Sequence, residues 1–388
     1  MTHREFPIGS SVTIEELKTN PHPLLARLRE REPMSWTPVF NGWLVTRRDL
    51  CIEVMRDPKT FTVDDPRFST GQVIGPSMLS LDGSEHQRHR EPFADPFRSA
   101  EVRTRFLEET RGKARELVRS VADLGAADLR TSVAAPLSVQ VMNLVLDLDD
   151  VDVAELLGWY DAIVESVEAV TEGNEVSPAG KFAFESLRSA VVTSVSSSAL
   201  LARVQSTGTL SADEIVSNVA VLLFGGIVTS ESTTATVLHY ILRLPELLRE
   251  VRADRSLVTG AVEETMRLEP AAAVVDRYAT RSVEFGGVTV SRGDLVRVSL
   301  AAANRDPTAF TEPNRFDVHR ENVVQHLTFA RGPHACLGIH LARLEAKAAV
   351  DAVLDGLTGV MLESGQDEGA RGLIFRAPPA VHARWDVA

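Results

Sequence analysis

The chain has 388 residues, 44% of them hydrophobic and 24% charged, the balance of a water-soluble globular protein. Its 41 Lys and Arg against 54 Asp and Glu leave a formal charge of −13, which argues against nucleic acid or an anionic membrane as a partner. The only two cysteines, Cys51 and Cys336, exclude a disulfide framework and suit a reducing cytoplasm. Met1-Thr-His-Arg-Glu-Phe-Pro lacks the apolar core of a secretory leader. The longest apolar run, Val219 to Val228, falls short of the roughly 20 residues a bilayer requires.

Up to Asp82 the pattern mixes turns, helical fragments and short strands such as Gly42-Trp-Leu-Val-Thr46. From Glu85 to about Ala349 helical periodicity dominates. His86-Gln-Arg-His-Arg90 puts His86 and Arg90 at i and i+4, on one helical face. Neither a repeat nor a Gly/Ser or Pro-rich linker divides the sequence, so residues 1–388 read as a single, mainly α domain. The patch Thr193 to Ser198 is the nearest approach to low complexity. Ser211-Ala-Asp-Glu214 is a capping box, after which helical patterning continues to Arg243 and stops at Pro245. That predicts a helix about 45–50 Å long, apolar all round at its centre and therefore buried. Gly225 and Gly226 interrupt it, each costing about 1 kcal/mol relative to Ala. They imply either close helix packing or a ligand lying against the backbone. Thr229, one turn on, can return its hydroxyl to a preceding carbonyl and hold the helix open there.

Glu263-Glu264-Thr-Met-Arg267 contains an i, i+3 acid–base pair, and by itself such a pair is most often merely solvated. Val283-Glu-Phe-Gly-Gly-Val-Thr-Val290 predicts a hairpin. Near the end comes Phe329-Ala-Arg-Gly332-Pro-His334-Ala-Cys336-Leu-Gly338, one cysteine on a glycine-punctuated loop before a helix-like segment. A thiolate there gains from the helix dipole and unpaired N–H groups, and the glycines admit a flat ligand. His319, His326, His334 and His340 crowd around Cys336, which raises zinc as an alternative, but the spacing is no finger pattern and leaves the glycines without a role.

The decapeptide resembles the haem-binding loop of the cytochrome P-450 superfamily, Phe-x-x-Gly-x-x-x-Cys-x-Gly. His86-x-x-x-Arg90, Glu264-x-x-Arg267 and Arg277 in Val275-Asp-Arg-Tyr follow in the order that family shows, and Ala303-Asn-Arg-Asp-Pro307 is similar to its soluble bacterial type. The resemblance implies a triangular, mostly α-helical fold with small β-sheets at one side and haem b between the long helix and the Cys loop. It implies Cys336 as axial thiolate to the iron, Phe329, Gly332 and Gly338 shaping the loop, and His86, Arg90, Arg277 and His334 on the propionates. Glu264 and Arg267 become a buried structural pair, with Arg315 of Pro313-Asn-Arg-Phe316 completing it. Gly225, Gly226 and Thr229 fall at the oxygen-activating kink, and the substrate-facing positions fall on Ile74, Val221, Phe224, Val228, Ala273, Val275, Ile374 and Phe375. All eight are apolar, which suits an uncharged, moderately bulky metabolite such as a terpenoid, macrolide, or aromatic or cyclic-peptide product.

One position departs from that pattern. Val228 replaces the acid that usually precedes the threonine, and valine neither donates nor accepts a proton. Glu231, a turn further along the same face, is the stand-in for proton delivery. The resemblance implies a monooxygenase using O₂ and electrons from a ferredoxin and its reductase, docked at Arg331, Arg98, Arg103 and Arg105. Oxidative C–C or C–N coupling without oxygen insertion, and a non-catalytic haem sensor, are the alternatives that Val228 keeps open.

Overall fold

The computed structural model describes residues 6–148, 152–171, 174–194, 197–365 and 368–387. The Ser-rich patch is therefore described only in part.

The long helix forms as its capping box dictates, over Ala212–Arg243, with the Ser211 hydroxyl accepting from Glu214 N–H and the Glu214 carboxylate accepting from Ser211 N–H. Pro245 opens the next helix, Pro245–Ala253, where its missing N–H costs nothing. The central helix is long and apolar enough to cross a bilayer, with a mean hydropathy of 1.5, yet 83% of that window is buried in protein. It is the core helix, packed against the helices Ala135–Leu146, Pro178–Ser194, Leu257–Leu268 and Ile339–Gly356.

The sheets are small. In the largest, Met34–Thr37 pairs with Gly42–Val45, which runs parallel to Leu295–Ser299, then antiparallel Val274–Ala279 and Phe61–Thr62. The predicted hairpin is present as Val283–Phe285 and Val288–Val290, turned by Gly286 and Gly287 at φ 60° and 85°, a region open to glycine at no steric cost. His382–Arg384 lies between Ala126–Asp128 and Met361–Leu362 in a third sheet. Periodicity alone missed Ala126–Asp128, Val274–Ala279 and Leu295–Ser299. Short strands held by partners far away in sequence carry too little local pattern to register.

This arrangement brings the first turns of three segments together. The strand Val274–Ala279 and the loop ahead of Ile339–Gly356 meet the central helix around one void, and the helix Gly83–Arg90 abuts that loop through His86 and His334.

Candidate functional site

The cysteine loop is closed by backbone hydrogen bonds, Cys336 N–H to Phe329 O at 2.9 Å and Ala335 N–H to Gly332 O at 3.1 Å. Gly332 sits at φ 79°, and a β-carbon there would run into the Met55 carbonyl, so glycine is required twice over. Phe329 is buried, its ring covered by the Arg343 guanidinium at 4.7 Å. Cys336 keeps accessible surface although protein packs densely around it. Burial pushes its thiol above the ordinary value, while the Gly338 N–H and the Arg90 and Arg343 charges pull the other way. Such a sulfur ionises when a metal cation replaces the proton.

Four of the predicted side chains converge beside it. His334 Nε2 lies 2.9 Å from Asp82 Oδ1, and the His86 ring is 4.3 Å from that of His334. Arg277, 4% exposed, spends one nitrogen on its neighbour's carbonyl, Asp276 O at 2.7 Å, and Arg90 Nη2 donates to Ala335 O at 2.6 Å. Burial lowers Arg277 to about 10, against the pull of Asp82 and Asp276. Burial, then the charges of His334 and Arg90, hold His86 down to about 4, and its Nε2 is buried without a partner. Asp82 went unnoticed in the sequence. Burial raises its carboxyl, but His334, Thr62 and the Val63 N–H outweigh that and keep it low. An unsatisfied imidazole nitrogen and two arginines around a single carboxylate are a site short of negative charge, which two propionates would supply. The residues fit haem.

On the opposite wall the two glycines divide their roles. Gly225 is exposed to the void, with nothing within 4 Å of where a β-carbon would stand. Gly226 instead abuts the Met142 side chain, which a β-carbon would displace. Close helix packing thus accounts for Gly226, while Gly225 leaves its backbone open to the void. Gly226→Ala is expected to cost about 1–3 kcal/mol by overpacking, whereas Gly225→Ala, with open space for its methyl group, should raise stability by up to about 1 kcal/mol but lower haem or ligand uptake; urea titrations beside Soret spectra measure both. Thr229 Oγ1 donates to Gly225 O at 2.5 Å, the i−4 return that opens a helix.

Glu231 does not face this void. Its carboxylate accepts from Arg130 Nε at 2.8 Å in a neighbouring polar cleft, to which Val228 also contributes a wall. Burial raises its carboxyl and Arg130 opposes. Of the predicted substrate-facing residues, Phe224, Val275, Ile374 and Phe375 do line the void, and the Phe224 and Phe375 rings meet edge to face at 5.5 Å. Three do not. Ile74 and Val221 are buried in the main core, because a segment apolar on every side gives no sign of which face meets a cavity. Ala273 joins the cluster of Leu17, Leu25 and Leu44. Phe68, Ser69, Thr70 and Leu79 occupy the wall where Ile74 was expected.

A second correction concerns the structural network. Glu264 and Arg267 are both fully buried and joined by two hydrogen bonds of 2.7 Å. The third member is Arg320, whose Nε donates to Glu264 at 3.0 Å with its side chain 7% exposed. Arg315 is 65% exposed and paired with Glu312; only its backbone carbonyl enters, accepting from Arg267 and Arg320. The local motif around Arg315 could not reveal that the chain turns its side chain outward. The four histidines near Cys336 likewise disperse. His319 lies beside Glu250, His326 beside Glu263 and His334 beside Asp82, while His340 is exposed. Among the described residues no three metal-binding side chains gather.

Glu345, on the helix that follows the Cys loop, was also missed. It is 1% exposed and neither carboxylate oxygen makes a well-formed hydrogen bond, the Ser230 hydroxyl being the nearest polar group. Burial raises its carboxyl to about 8. A carboxyl raised on folding binds its proton more tightly in the folded state, so the contribution is intact below the unfolded value near ~4.3 and declines as pH rises from there to about 8. Glu345→Gln is therefore expected to remove a fall in melting temperature between pH 6 and 8.5, measured by thermal denaturation; an unchanged slope would show that another group titrates.

The comparisons agree with this geometry. The family model described as Cytochrome P450 matches residues 185–368. The monooxygenase PikC of Streptomyces venezuelae is 31% identical over 372 residues, covering 91% of this chain and 88% of the relative. Mycinamicin IV hydroxylase/epoxidase of Micromonospora griseorubida is 30% identical over 380 residues, 92% of this chain and 94% of its own. The crystal structure of CalO2 superposes with a TM-score of 0.86 over 97% of this chain and 98% of that one, at 25% identity. The chain belongs to the cytochrome P-450 family. It is a haem-dependent monooxygenase of the soluble bacterial type, and the core position of its central helix accords with that.

Proposed function

We propose that the protein hydroxylates an apolar, moderately bulky small molecule of secondary metabolism held against Gly225. The observation that carries this reading is the void itself, walled by Phe224, Val275, Ile374 and Phe375 on its apolar sides and by Gly225 and the Cys loop residue His334 elsewhere. The hydroxylase and epoxidase relatives named for mycinamicin IV and cyclomarin C support the class of chemistry. Cys336 holds haem b through its sulfur, and His86, Arg90, Arg277 and His334 hold its carboxylates. When bound, haem supplies the reductive activation of O₂, which thiolate ligation favours. Ring-shaped, uncharged candidates from the terpenoid, macrolide, aromatic and cyclic-peptide classes, titrated into the ferric protein, should shift the Soret band to high spin for the right class. No shift across the panel, with the thiolate–CO band intact, contradicts this substrate reading.

Within the site, Thr229 keeps Gly225 O occupied and still has its oxygen free to accept from a water at the open glycine. Val228 supplies no proton, so delivery passes by Glu231, held by Arg130 in the neighbouring cleft, which shares Phe375 with the void. Glu231→Gln is expected to lower product formed per reductant; an unchanged ratio removes Glu231 from the relay. Coupling without oxygen insertion is the second reading, favoured by Val228, and labelled O₂ separates the two, because label enters the product only in hydroxylation.

A ferredoxin with its reductase delivers the electrons. Arg103 lines a groove with His340, Arg343 and Lys347, and Arg331 lies within reach of the Arg48, Arg56 and Arg343 charges. Arg98 and Arg105 are partly offset by Asp95 and Glu101, so Arg103 and Arg331 lead the patch. Reversing both charges should slow reduction, more so at low salt.

A further inference from the structure

Beyond Phe375 lies a second cleft of about 540 Å³, quite unlike the apolar void. Tyr160, Asp161 and Glu168 of the helix Val153–Thr171 form one wall, and Arg130, Glu231 and Arg371 contribute to the rest. That helix carries Glu155, Asp161, Glu165 and Glu168 and no Lys or Arg at all. Asp161, Glu165 and Glu168 recur at helical spacing, and like charges three or four residues apart oppose the helix that holds them.

The cations across the cleft are already engaged. Arg130 donates to Glu231 at 2.8 Å and to the carbonyls of Pro378 and Pro379 at 3.0 and 3.2 Å. Arg371 lies 3.5 Å from Glu368. Asp161 has neither a hydrogen bond nor an ion pair of its own among the described residues; desolvation and then the Glu165 charge raise its carboxyl, and the more distant Arg130 charge opposes them only in part. Independently of the acids, Tyr160 is 6% exposed and lines the cleft, yet its hydroxyl has no hydrogen-bond partner among the described residues. That hydroxyl is not sealed inside the protein but opens on the cleft, available to whatever occupies it. An organic ammonium group answers all of these at once, through the Asp161 charge, the Tyr160 oxygen and the aromatic ring faces.

We propose that this cleft receives a cationic, amine-bearing arm of the substrate, whose apolar body occupies the void over Gly225 and passes Phe375, the wall common to both. The inference rests on the monooxygenase reading and narrows its substrate to molecules with an apolar body and a positively charged nitrogen.

The test uses the haem-loaded protein and two probes, phenylbutyl-trimethylammonium and its neutral isostere with carbon in place of nitrogen. A quaternary nitrogen cannot ligate the iron, so a Soret shift reports water displacement alone. Calorimetry should show the cation binding about tenfold more tightly, about 1.4 kcal/mol, with both probes moving the Soret band to high spin. Asp161→Asn should shrink the preference to about twofold, and 0.5 M salt should shrink it in the wild type. Tyr160→Phe should lower it less. Equal binding of the two probes, no binding of either, or a preference untouched by Asp161→Asn overturns the proposal while a thiolate–CO band leaves the monooxygenase reading standing. Tight binding of the cation without a Soret change overturns it too, by placing the ammonium site apart from the substrate. Loss of the thiolate–CO band in the wild type would be a different failure, of the underlying reading itself.

Discussion

Haem-loaded Cys336→Ser protein is expected to lose the red-shifted Soret band of its reduced CO complex and to form product only at background. Serine matches cysteine in shape, and Cys336 is exposed rather than part of the core, so stability should move by no more than about 0.5 kcal/mol. What changes is the donor. A thiolate pushes electron density onto the iron and favours O–O cleavage, and an alcohol does not. Cys51 is the control. It is fully buried beside the carbonyls of Val45 and Ser299, at 3.5 and 3.9 Å, and burial holds its thiol far above the ordinary value. Cys51→Ser should keep the band whatever it does to stability. Retention of the band in Cys336→Ser would remove Cys336 as the ligand.

The largest loss of stability is expected from Arg267→Ala, about 3–5 kcal/mol, because it leaves the Glu264 carboxylate buried with half its donors gone. Arg267 does more than neutralise a charge: it also donates to the carbonyls of Asn304, Pro313 and Arg315, stitching a long irregular segment to the helix Leu257–Leu268. Arg320→Ala removes the other cation and should cost somewhat less, since Arg267 keeps its bidentate grip on Glu264. Arg315→Ala should fall within about 0.5 kcal/mol, because only its backbone carbonyl enters the network. Urea denaturation of the three variants, with haem content measured in parallel, decides the ranking. If Arg315→Ala proves as damaging as Arg320→Ala, the assignment of the third arginine to Arg320 is wrong.

How far the sequence reaches depends on the kind of signal. The capping box and Pro245 marked the central helix to within a residue or two, because caps act on backbone groups inside one turn. The Gly286–Gly287 turn was equally legible for the same local reason. Within the site, the cysteine loop and the pair His86 and Arg90 were legible through their likeness to family motifs, whose spacing lies within a few residues. Residues recruited across the fold were not. Asp82 reaches His334 from the far side of the chain, Arg320 displaces Arg315, and nothing around Glu345 announces a buried, unpaired acid.

The sequence by itself determined the helical character, the long core helix, the glycine-bounded cysteine loop, and the absence of an acid before Thr229. These are properties of near neighbours, and of a loop whose backbone leaves little choice of residue. Only the tertiary structure decided which face of each apolar segment meets the void, which arginine completes the Glu264 network, and that Gly225 and Gly226 serve different neighbours. It also separated Glu231 from the void and set it with Arg130, Asp161 and Tyr160 in a second, charged cleft. The physical reason is common to all of these. A side chain's partner is fixed by packing between elements distant in sequence, and a segment apolar on every side carries no local record of which neighbour it will meet.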